Sequence, residues 1–225
     1  MKNNWENFST VDPEFYILTH KVDYSKPEGQ KYFYDSGINA TETYLSRVKK
    51  YLSEYERALE IGCGIGRLTF PHAKIFNEIH AVDISKSMLM KLEATAKVNS
   101  ITNIRTFLPN EPWDITESFN YAYSWIVFQH ISDYSVIKSY IQKIYKSLRK
   151  QGIAQLHFDT RSSNIFYQFR NKTPDFLLPK NQRQGIRRIR RKSDELRSLF
   201  TSNQFAILDE FSKETSNHTF ILQKI

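Results

Sequence analysis

The chain has 225 residues, of which 40% are hydrophobic and 25% charged, a composition typical of globular rather than disordered or fibrous proteins. Its single cysteine, Cys63, excludes an intramolecular disulfide and a zinc site built from several cysteines, and it fits a reducing cytoplasm. No apolar run approaches the ~20 residues of a membrane span, and the N-terminus does not resemble a signal peptide, so we expect one cytoplasmic domain over residues 1–225.

The formal net charge of +8 is concentrated in one part of the sequence. Residues 180–192 hold seven cations and no acid, which leaves about +1 for the rest of the chain. A local basic tract indicates either a functional patch or a solvated loop, rather than a protein coated in positive charge.

Short apolar runs predict strands at 57–61, 78–84, 104–108, 119–128 and 152–158. Between them, apolar residues three and four apart predict helices at 85–98, with Ser85 as N-cap, and at 134–150. A helix near 194–201 then precedes two further strands, 205–211 and 218–223, joined by a polar turn. This alternation predicts an α/β fold: a doubly wound, seven-stranded, mostly parallel sheet with a C-terminal antiparallel hairpin and helices on both faces.

Three of the seven glycines, Gly62, Gly64 and Gly66, follow the first strand within five residues. Glycines allow a sharp turn there and a close approach of ligand to main chain, and the next helix, starting near 67–70, adds free N–H groups. Asp83 follows the second strand, 21 residues after Gly62, where a carboxylate can bind both hydroxyls of a ribose. We therefore expect a ligand that contains a nucleoside. A dinucleotide fingerprint would require glycine at position 67, which is Arg67.

Four segments together resemble class I S-adenosylmethionine-dependent methyltransferases, which have a Rossmann-like fold. Residues 59–67 (LEIGCGIGR) are similar to the family's first motif and residues 81–89 (AVDISKSML) to its second. Residues 118–131 resemble its fourth strand and active-site loop, and residues 148–152 its turn into strand five. The resemblance covers about residues 35–160 and implies S-adenosylmethionine as cofactor.

The resemblance also implies roles for individual residues. Gly62, Cys63, Gly64 and Gly66 form the turn against the methionine part of the cofactor, Glu60 orients its amino group, Asp83 holds the ribose, Ile84 and Met88 flank the adenine, Asn110 contacts the adenine amino edge, and Ser124 lines the cofactor or acceptor pocket.

His130, just beyond the fourth strand, is the candidate general base, because an imidazole titrates near neutrality; the alternative is that it only shapes the site. A covalent thiolate mechanism is disfavoured because Cys63 belongs to the glycine turn. No histidine or acid cluster has the spacing of a metal site, so we predict none.

Two segments are candidates for acceptor recognition. Residues 1–37 are rich in aromatic residues and form either a lid over the cofactor or a plain cover for the sheet. Residues 160–192 form a long insertion that ends in the basic tract. Arginines bind phosphate and carboxylate, so an anionic acceptor is one interpretation of the tract. We favour a small-molecule or glycoconjugate acceptor over RNA or protein. A non-catalytic cofactor-binding subunit is the remaining alternative, while the oligomeric state is not predicted.

Overall fold

The computed structural model describes residues 2–179, 182, 183 and 185–225. The helices are α1 (Lys2–Val11), α2 (Pro13–Leu18), α3 (Pro27–Val48), α4 (Thr69–Ala73), α5 (Lys86–Val98), α6 (Tyr134–Ser147), α7 (Ile165–Lys172) and α8 (Ser193–Ser202). The strands are β1 (Arg57–Ile61), β2 (Glu78–Val82), β3 (Ile104–Phe107), β4 (Phe119–Ser124), β5 (Leu148–Phe158), β6 (Phe205–Phe211) and β7 (His218–Lys224).

All seven strands belong to one sheet, in the order β3-β2-β1-β4-β5-β7-β6. The first five strands run parallel, whereas β7 is antiparallel to both β5 and β6. The predicted mostly parallel sheet with a C-terminal antiparallel hairpin is thereby confirmed. The strand order reverses between β1 and β4, and ligands of open α/β sheets bind at the carboxyl ends of the strands at such a switch point.

Helices cover both faces of the sheet, as the alternating pattern predicts. On one face α6 and α8 bury apolar side chains, among them Ile137, Ile141 and Phe200, against β4 and β5. On the other face α3 and α5 pack against β1 and β2. In α5 the predicted inward residues Met88, Leu89, Leu92 and Ala96 are all buried, and the Ser85 side chain caps the helix by accepting from the Met88 N–H at 3.2 Å.

The largest differences from the predicted boundaries lie at the end of β4 and at the junction of α6 with β5, for different reasons. The run 119–128 contains only the six-residue strand β4, because the chain turns after Ser124 into the loop that lines the site. Helix α6 ends at Ser147 rather than at 150, because Leu148 already pairs with Phe119 as the first residue of β5. A β-bulge in this pairing separates residue 148 from the regular ladder that begins at Ile153.

Both segments outside the sheet contain helices. Residues 1–37 contain α1, α2 and the start of α3, while the 160–192 insertion contains α7 and a 3₁₀ turn at Asp175–Leu177. Lys180 of the basic tract lies outside the described residues. Among the residues that are described, none forms a helix that is both long enough and apolar enough to cross a bilayer.

Candidate cofactor and acceptor site

The glycine turn after β1 has the backbone conformation that requires glycine. Gly62, Gly64 and Gly66 have φ angles of +80°, +55° and +95°, a region that side chains with a Cβ rarely adopt. The turn is fixed to the next strand because the Gly62 N–H donates to the Val82 carbonyl at 2.7 Å. A Cβ at Gly62 would lie 2.2 Å from the Val127 side chain, so glycine also allows the loop after β4 to close on the turn.

Asp83 joins the end of β2 to this turn. Its Oδ2 accepts from the Gly64 N–H at 2.8 Å, and its Oδ1 accepts from the Ser85 N–H at 2.9 Å. Burial raises the pKa of Asp83, while the backbone hydrogen bonds oppose that rise by favouring the carboxylate. Each carboxylate oxygen keeps a lone pair for a further donor, so the group can bind a diol while it holds the turn in place.

Glu60, in β1, is buried directly beneath the turn, with 3% of its surface exposed. Its Oε2 accepts from the hydroxyls of Thr69 at 2.7 Å and Tyr123 at 2.9 Å. Burial raises the pKa of this carboxyl to about 7, although both hydroxyls and the charge of Arg67 act to lower it. A cationic ligand group beside Glu60 would lower the pKa of this carboxyl, and the ionised carboxylate would in turn strengthen binding of the cation.

Arg67 is a site residue that the sequence analysis considered only as a missing glycine. Its side chain lines the pocket yet is only 7% exposed, and burial lowers its pKa to about 10. One guanidinium nitrogen donates to the Ser36 carbonyl at 3.3 Å, whereas the buried Nε has no partner in the described structure. A buried N–H without an acceptor is costly, which makes Arg67 a candidate to bind an anionic ligand group.

The glycine turn, Asp83 and Arg67 lie around one pocket at the carboxyl ends of β1, β2 and β4. Of the residues expected to bind cofactor or perform catalysis, Gly62, Gly64, Asp83, Ile84 and His130 line it. The other lining residues come from the N-terminal segment, the loop after β4, and neighbouring strands and helices: Trp5, Tyr16, Ile17, Ile61, Arg67, Val82, Trp125, Ile126, Val127, Ile131 and Tyr140. The pocket is therefore polar around the glycine turn and apolar elsewhere, as nucleoside sites are.

Six expected cofactor residues lie outside this lining: Glu60, which is buried beneath the turn, Asn110, and the four that follow here. Cys63 is buried in the turn, with burial raising its pKa well above that of a free thiol. Met88 is fully buried between α5 and the N-terminal segment, in a cluster with Phe33. Ser124 is also buried and donates to the Ile61 carbonyl at 3.0 Å, which ties β4 to β1. Gly66 packs against the ring of Phe70, where a Cβ would lie 2.6 Å away.

Asn110 lies in a neighbouring pocket. That pocket shares Ile84 and Tyr140 with the first one and is closed at its far side by Trp113. The two pockets thus form a continuous depression that runs from the glycine turn past the end of β2. Asn110 is exposed, and the lining of the pocket that holds it does not include Asp83.

The N-terminal segment covers the first pocket and is attached by a residue that the sequence analysis did not single out. Glu6, in α1, accepts from the Ser85 hydroxyl at 2.8 Å and from the Ser87 N–H at 3.2 Å, and also from the Ser87 hydroxyl. These hydrogen bonds lower the pKa of Glu6. Since Ser85 and Ser87 stand at the start of α5, Glu6 fixes α1 beside Asp83, and the neighbouring Trp5 reaches the pocket. Trp5, Tyr16 and Ile17 of the N-terminal segment thus line this pocket.

His130 lies in a 3₁₀ turn after β4, with the Trp5 ring 5.9 Å away. Its Nδ1 lies 3.3 Å from the Arg187 carbonyl, which can only accept, so this nitrogen carries the proton. The Nε2 is then an acceptor, 3.4 Å from the amide nitrogen of Gln129. Burial lowers the pKa of His130 to about 4, and Arg188 acts in the same direction. The ring is therefore neutral at pH 7, whereas the sequence predicts titration near neutrality.

Ile126, in the same loop, has a φ of +57°, an unusual value for a β-branched residue. This conformation turns the chain after Ser124 and brings Val127 onto Gly62. Strained backbone of this kind costs about 1–3 kcal/mol and occurs most often at binding sites. The loop is held in place from outside, because the Ile189 N–H donates to the Gln129 carbonyl at 2.7 Å.

The basic tract is built into the structure rather than solvated. Within its described residues, Arg191 donates to the carbonyls of Ile131 and Ser132, both at 2.9 Å, and Arg187 donates to the Asn171 carbonyl at 3.0 Å. The insertion and the loop after β4 also enclose a further pocket, more polar than the one at the glycine turn. It is lined by His130, Ser132, Asn171, Thr173, Pro174, Asp175, Gly185, Arg187 and Ile189. His130 therefore stands between the pocket at the glycine turn and the pocket formed by the insertion.

No group of three or more histidine, cysteine or acidic side chains among the described residues is arranged to bind a metal ion. Cys63, with its raised pKa and buried sulfur, is poorly suited to act as a nucleophile. The chemistry available to the described residues is thus binding, orientation and proton transfer by carboxylates, guanidinium groups and an imidazole.

Comparison with known proteins agrees with this geometry. Residues 59–154 match the family described as a methyltransferase domain. A Geobacillus sp. (strain WCH70) protein, named provisionally as a methyltransferase, is 29% identical over 147 residues, which cover 60% of this chain and 58% of that protein. The chain therefore spans well under two thirds of the length of this curated relative.

Two solved structures are similar over nearly the whole chain. Magnesium protoporphyrin IX methyltransferase from Synechocystis PCC 6803, with bound SAH, is 14% identical with a TM-score of 0.66 and covers 100% of both chains. An S-adenosylmethionine-dependent methyltransferase from Clostridium acetobutylicum ATCC 824 is 16% identical with a TM-score of 0.65 and covers 99% of both. Residues 59–154 therefore match the methyltransferase-domain family, and the chain as a whole has the fold of these S-adenosylmethionine-dependent methyltransferases.

Proposed function

We propose that the chain binds S-adenosylmethionine and transfers its methyl group to a small-molecule or glycoconjugate acceptor that carries negative charge. The observation that carries this proposal is the contact of Asp83 with the Gly64 N–H, which places a ribose-binding carboxylate and a glycine turn in one pocket. The match of residues 59–154 to the methyltransferase-domain family supports the same reading.

The pocket has a group for each polar part of the cofactor. Asp83 binds the two ribose hydroxyls, and Ile84 and Tyr140 supply apolar surface beside the adenine. The amino acid part of the cofactor carries one ammonium and one carboxylate. Glu60 faces the ammonium and Arg67 faces the carboxylate, because these two oppositely charged side chains interact across the glycine turn. Asn110 contacts the outer edge of the adenine from the neighbouring pocket.

S-adenosylmethionine, when bound, would supply a methyl group on a positively charged sulfur. That methyl group is open to in-line attack by a nucleophile of the acceptor. The residues of this chain contribute mainly by aligning the acceptor and excluding water. His130 lies between the two pockets, so it touches the acceptor at the side where transfer occurs. Its Nε2 exchanges the contact with the Gln129 amide for a hydrogen bond from the acceptor, and takes the acceptor's proton where one must be lost. The low pKa makes this a weak base, so positioning is its larger contribution.

The acceptor occupies the polar pocket formed by the insertion. Seven of the ten cations of residues 160–192 lie in the basic tract, and the segment has a single acid, Asp175. A small anionic acceptor is favoured over RNA because the cations are concentrated at one pocket, and the rest of the chain has nearly balanced charge.

Calorimetric titration of the purified chain with S-adenosylmethionine and, separately, with NAD tests the proposal. We expect binding of the former alone. Asp83→Ala should weaken it by about 1–3 kcal/mol through the lost charged hydrogen bonds. Asp35→Ala is the matched control, since Asp35 is exposed in α3 and paired only with Lys31 at 2.5 Å. Equal affinity of the Asp83→Ala variant and the parent chain would refute the assignment of the ribose site.

A further inference from the structure

The 160–192 insertion presents an unusual apolar surface to solvent. Five large side chains between residues 165 and 177 are 65–81% exposed: Ile165, Phe166, Phe169, Phe176 and Leu177. We call them the apolar face. Every phenylalanine that is exposed within the described residues belongs to this face. Large apolar side chains grouped in this way mark a surface that is covered in use, whereas single exposed ones need no explanation.

The helical part of this surface is amphipathic with respect to solvent. At 100° per residue, Ile165, Phe166 and Phe169 fall within about 100° of each other on α7. Lys172 flanks this sector on one side, while Arg170 follows it on the other with its guanidinium turned over the Tyr167 ring, 5.2 Å from the ring centre. Tyr167 points the opposite way and is 8% exposed. The helix thus turns one aromatic residue inward and a group of apolar residues, bordered by cations, outward.

The exposure does not result from loose packing of α7. The Tyr167 hydroxyl accepts from the Arg190 N–H at 2.9 Å, and the Arg190 guanidinium lies 4.3 Å from the centre of the Tyr167 ring. Arg187 fixes the end of α7 to the following 3₁₀ turn, because it donates to the Asn171 carbonyl at 3.0 Å and to Asp175 at 2.9 Å. The apolar face is therefore held outward by a buried anchor.

The charge of the same segment is strongly positive. Residues 160–192 contain ten cations and one acid, a net charge of +9, so the rest of the chain has 22 cations and 23 acids, a net charge of −1. Several arginines of the segment donate to neutral carbonyls: Arg183 to Leu178, Arg188 to Ser216, and Arg190 to Ser162. Such hydrogen bonds orient the guanidinium groups without neutralising them, so the positive potential around the apolar face persists.

We propose that the 160–192 insertion docks on an anionic phospholipid surface. The apolar face enters the interfacial region, and the surrounding cations lie against the headgroup phosphates. Aromatic and aliphatic side chains bordered by lysine and arginine are the chemistry that binds this surface. A bilayer with anionic lipids offers both an apolar interior for the apolar face and a dense negative charge for a segment of net charge +9 over 33 residues.

The docking surface and the acceptor pocket belong to one segment. Asn171, Thr173 and Arg187 line the pocket beside His130, and α7 and its following turn carry the apolar face. An amphiphilic acceptor held at the membrane would enter the pocket from the docked insertion. This last step rests on the proposed function, whereas the docking itself does not.

Flotation of the full chain with vesicles tests the docking. The parent chain should bind vesicles of phosphatidylcholine mixed with phosphatidylglycerol, bind phosphatidylcholine alone at least about tenfold less, and lose binding as salt concentration rises. Phe166→Ser combined with Phe169→Ser should reduce binding by about tenfold or more. The control combines Met90→Ser with Val98→Ser, which removes residues that are 58% and 84% exposed on α5, and it should bind as the parent does.

Three results would overturn the inference: absence of binding to the anionic vesicles, equal binding to both vesicle types, or unchanged binding of the Phe166/Phe169 variant. The first would point to a protein partner for the apolar face, the second to vesicle binding that does not depend on charge, and the third to electrostatic binding without the apolar face. Calorimetric titration with S-adenosylmethionine in the same variants separates this inference from the proposed function. Vesicle binding without cofactor binding would support the docking and refute the methyltransferase proposal. Cofactor binding without vesicle binding would support the methyltransferase proposal and refute the docking.

Discussion

Glu60 makes cofactor binding a proton-linked event. Burial raises its pKa to about 7 in the free protein, so about three quarters of these carboxyls are protonated at pH 6.5. An amino acid ammonium, with a usual pKa of about 7.7–8.0, is already charged at that pH. If the ammonium lies against Glu60, its charge returns the pKa of the carboxyl towards 4.5, and binding releases about three quarters of a proton.

The assay is calorimetric titration with S-adenosylmethionine at pH 6.5 in two buffers of different ionisation enthalpy, because the difference in heat gives the number of protons released. Glu60→Gln keeps acceptors for the Thr69 and Tyr123 hydroxyls but cannot ionise, so it should release none and bind more weakly. Glu54→Gln is the control, since Glu54 is 57% exposed at the far end of the sheet. Equal proton release by the parent chain and by Glu60→Gln would refute the placement of the ammonium.

The same carboxyl should make the free energy of unfolding of the free protein depend on pH. The pKa of Glu60 is raised in the folded state, so its contribution to stability is complete below the unfolded value of 4.5 and is lost as pH rises through about 7. The difference between the two values corresponds to about 3 kcal/mol. Denaturant unfolding between pH 5 and pH 8 should show this decrease in the parent chain, and Glu60→Gln should be much flatter over the same range.

Three further substitutions test other parts of the site. Arg67→Met should weaken cofactor binding by about 2 kcal/mol through loss of the guanidinium–carboxylate pair, as measured by calorimetry, and unchanged affinity would contradict that pair. His130→Ala should leave cofactor affinity nearly unchanged and reduce methyl incorporation once an acceptor is found. A loss of cofactor affinity as large as the loss of methyl incorporation would assign His130 to cofactor binding instead. Glu6→Ala should detach α1, so that trypsin cleaves faster at Lys21, and equal cleavage rates would show that Glu6 does not hold the segment.

The sequence predicted the part of the structure whose signals are local. The glycine turn, the acid after β2 and the Ser85 cap each depend on a few adjacent residues, and each is found where it was expected. Helix α3 was not predicted, because its buried face includes Gly37 and Thr41, which do not register as apolar. Gly37 is needed there, since a Cβ would lie 2.0 Å from the Arg67 carbonyl.

The residues that the sequence analysis missed act over long distances along the chain. Glu6 meets Ser85 and Ser87 across 79 and 81 positions, and Arg67 meets Ser36 across 31. The helix and strand periodicities of the sequence do not predict contacts between residues so far apart along the chain. The arginine directly after the glycine turn was visible, but only as an exclusion of the dinucleotide fingerprint. The basic tract was predicted as either a patch or a loop, and its described arginines instead fix the loop that carries His130.

The placement of the two covering segments favours an order of binding. Trp5 and Glu6 place α1 over the pocket at the glycine turn, and the backbone of Gly185 packs so closely on α1 that a Cβ would lie 3.1 Å from Asn4 and from Phe8. The N-terminal segment and the insertion thus meet above the site. Of the two pockets, the one at the glycine turn is lined by Trp5 of α1, so movement of α1 would widen it for the cofactor, whereas the pocket behind His130 is lined by the insertion. An acceptor that strengthens the packing between the two segments would hinder cofactor entry, so the geometry favours cofactor binding first and acceptor binding second.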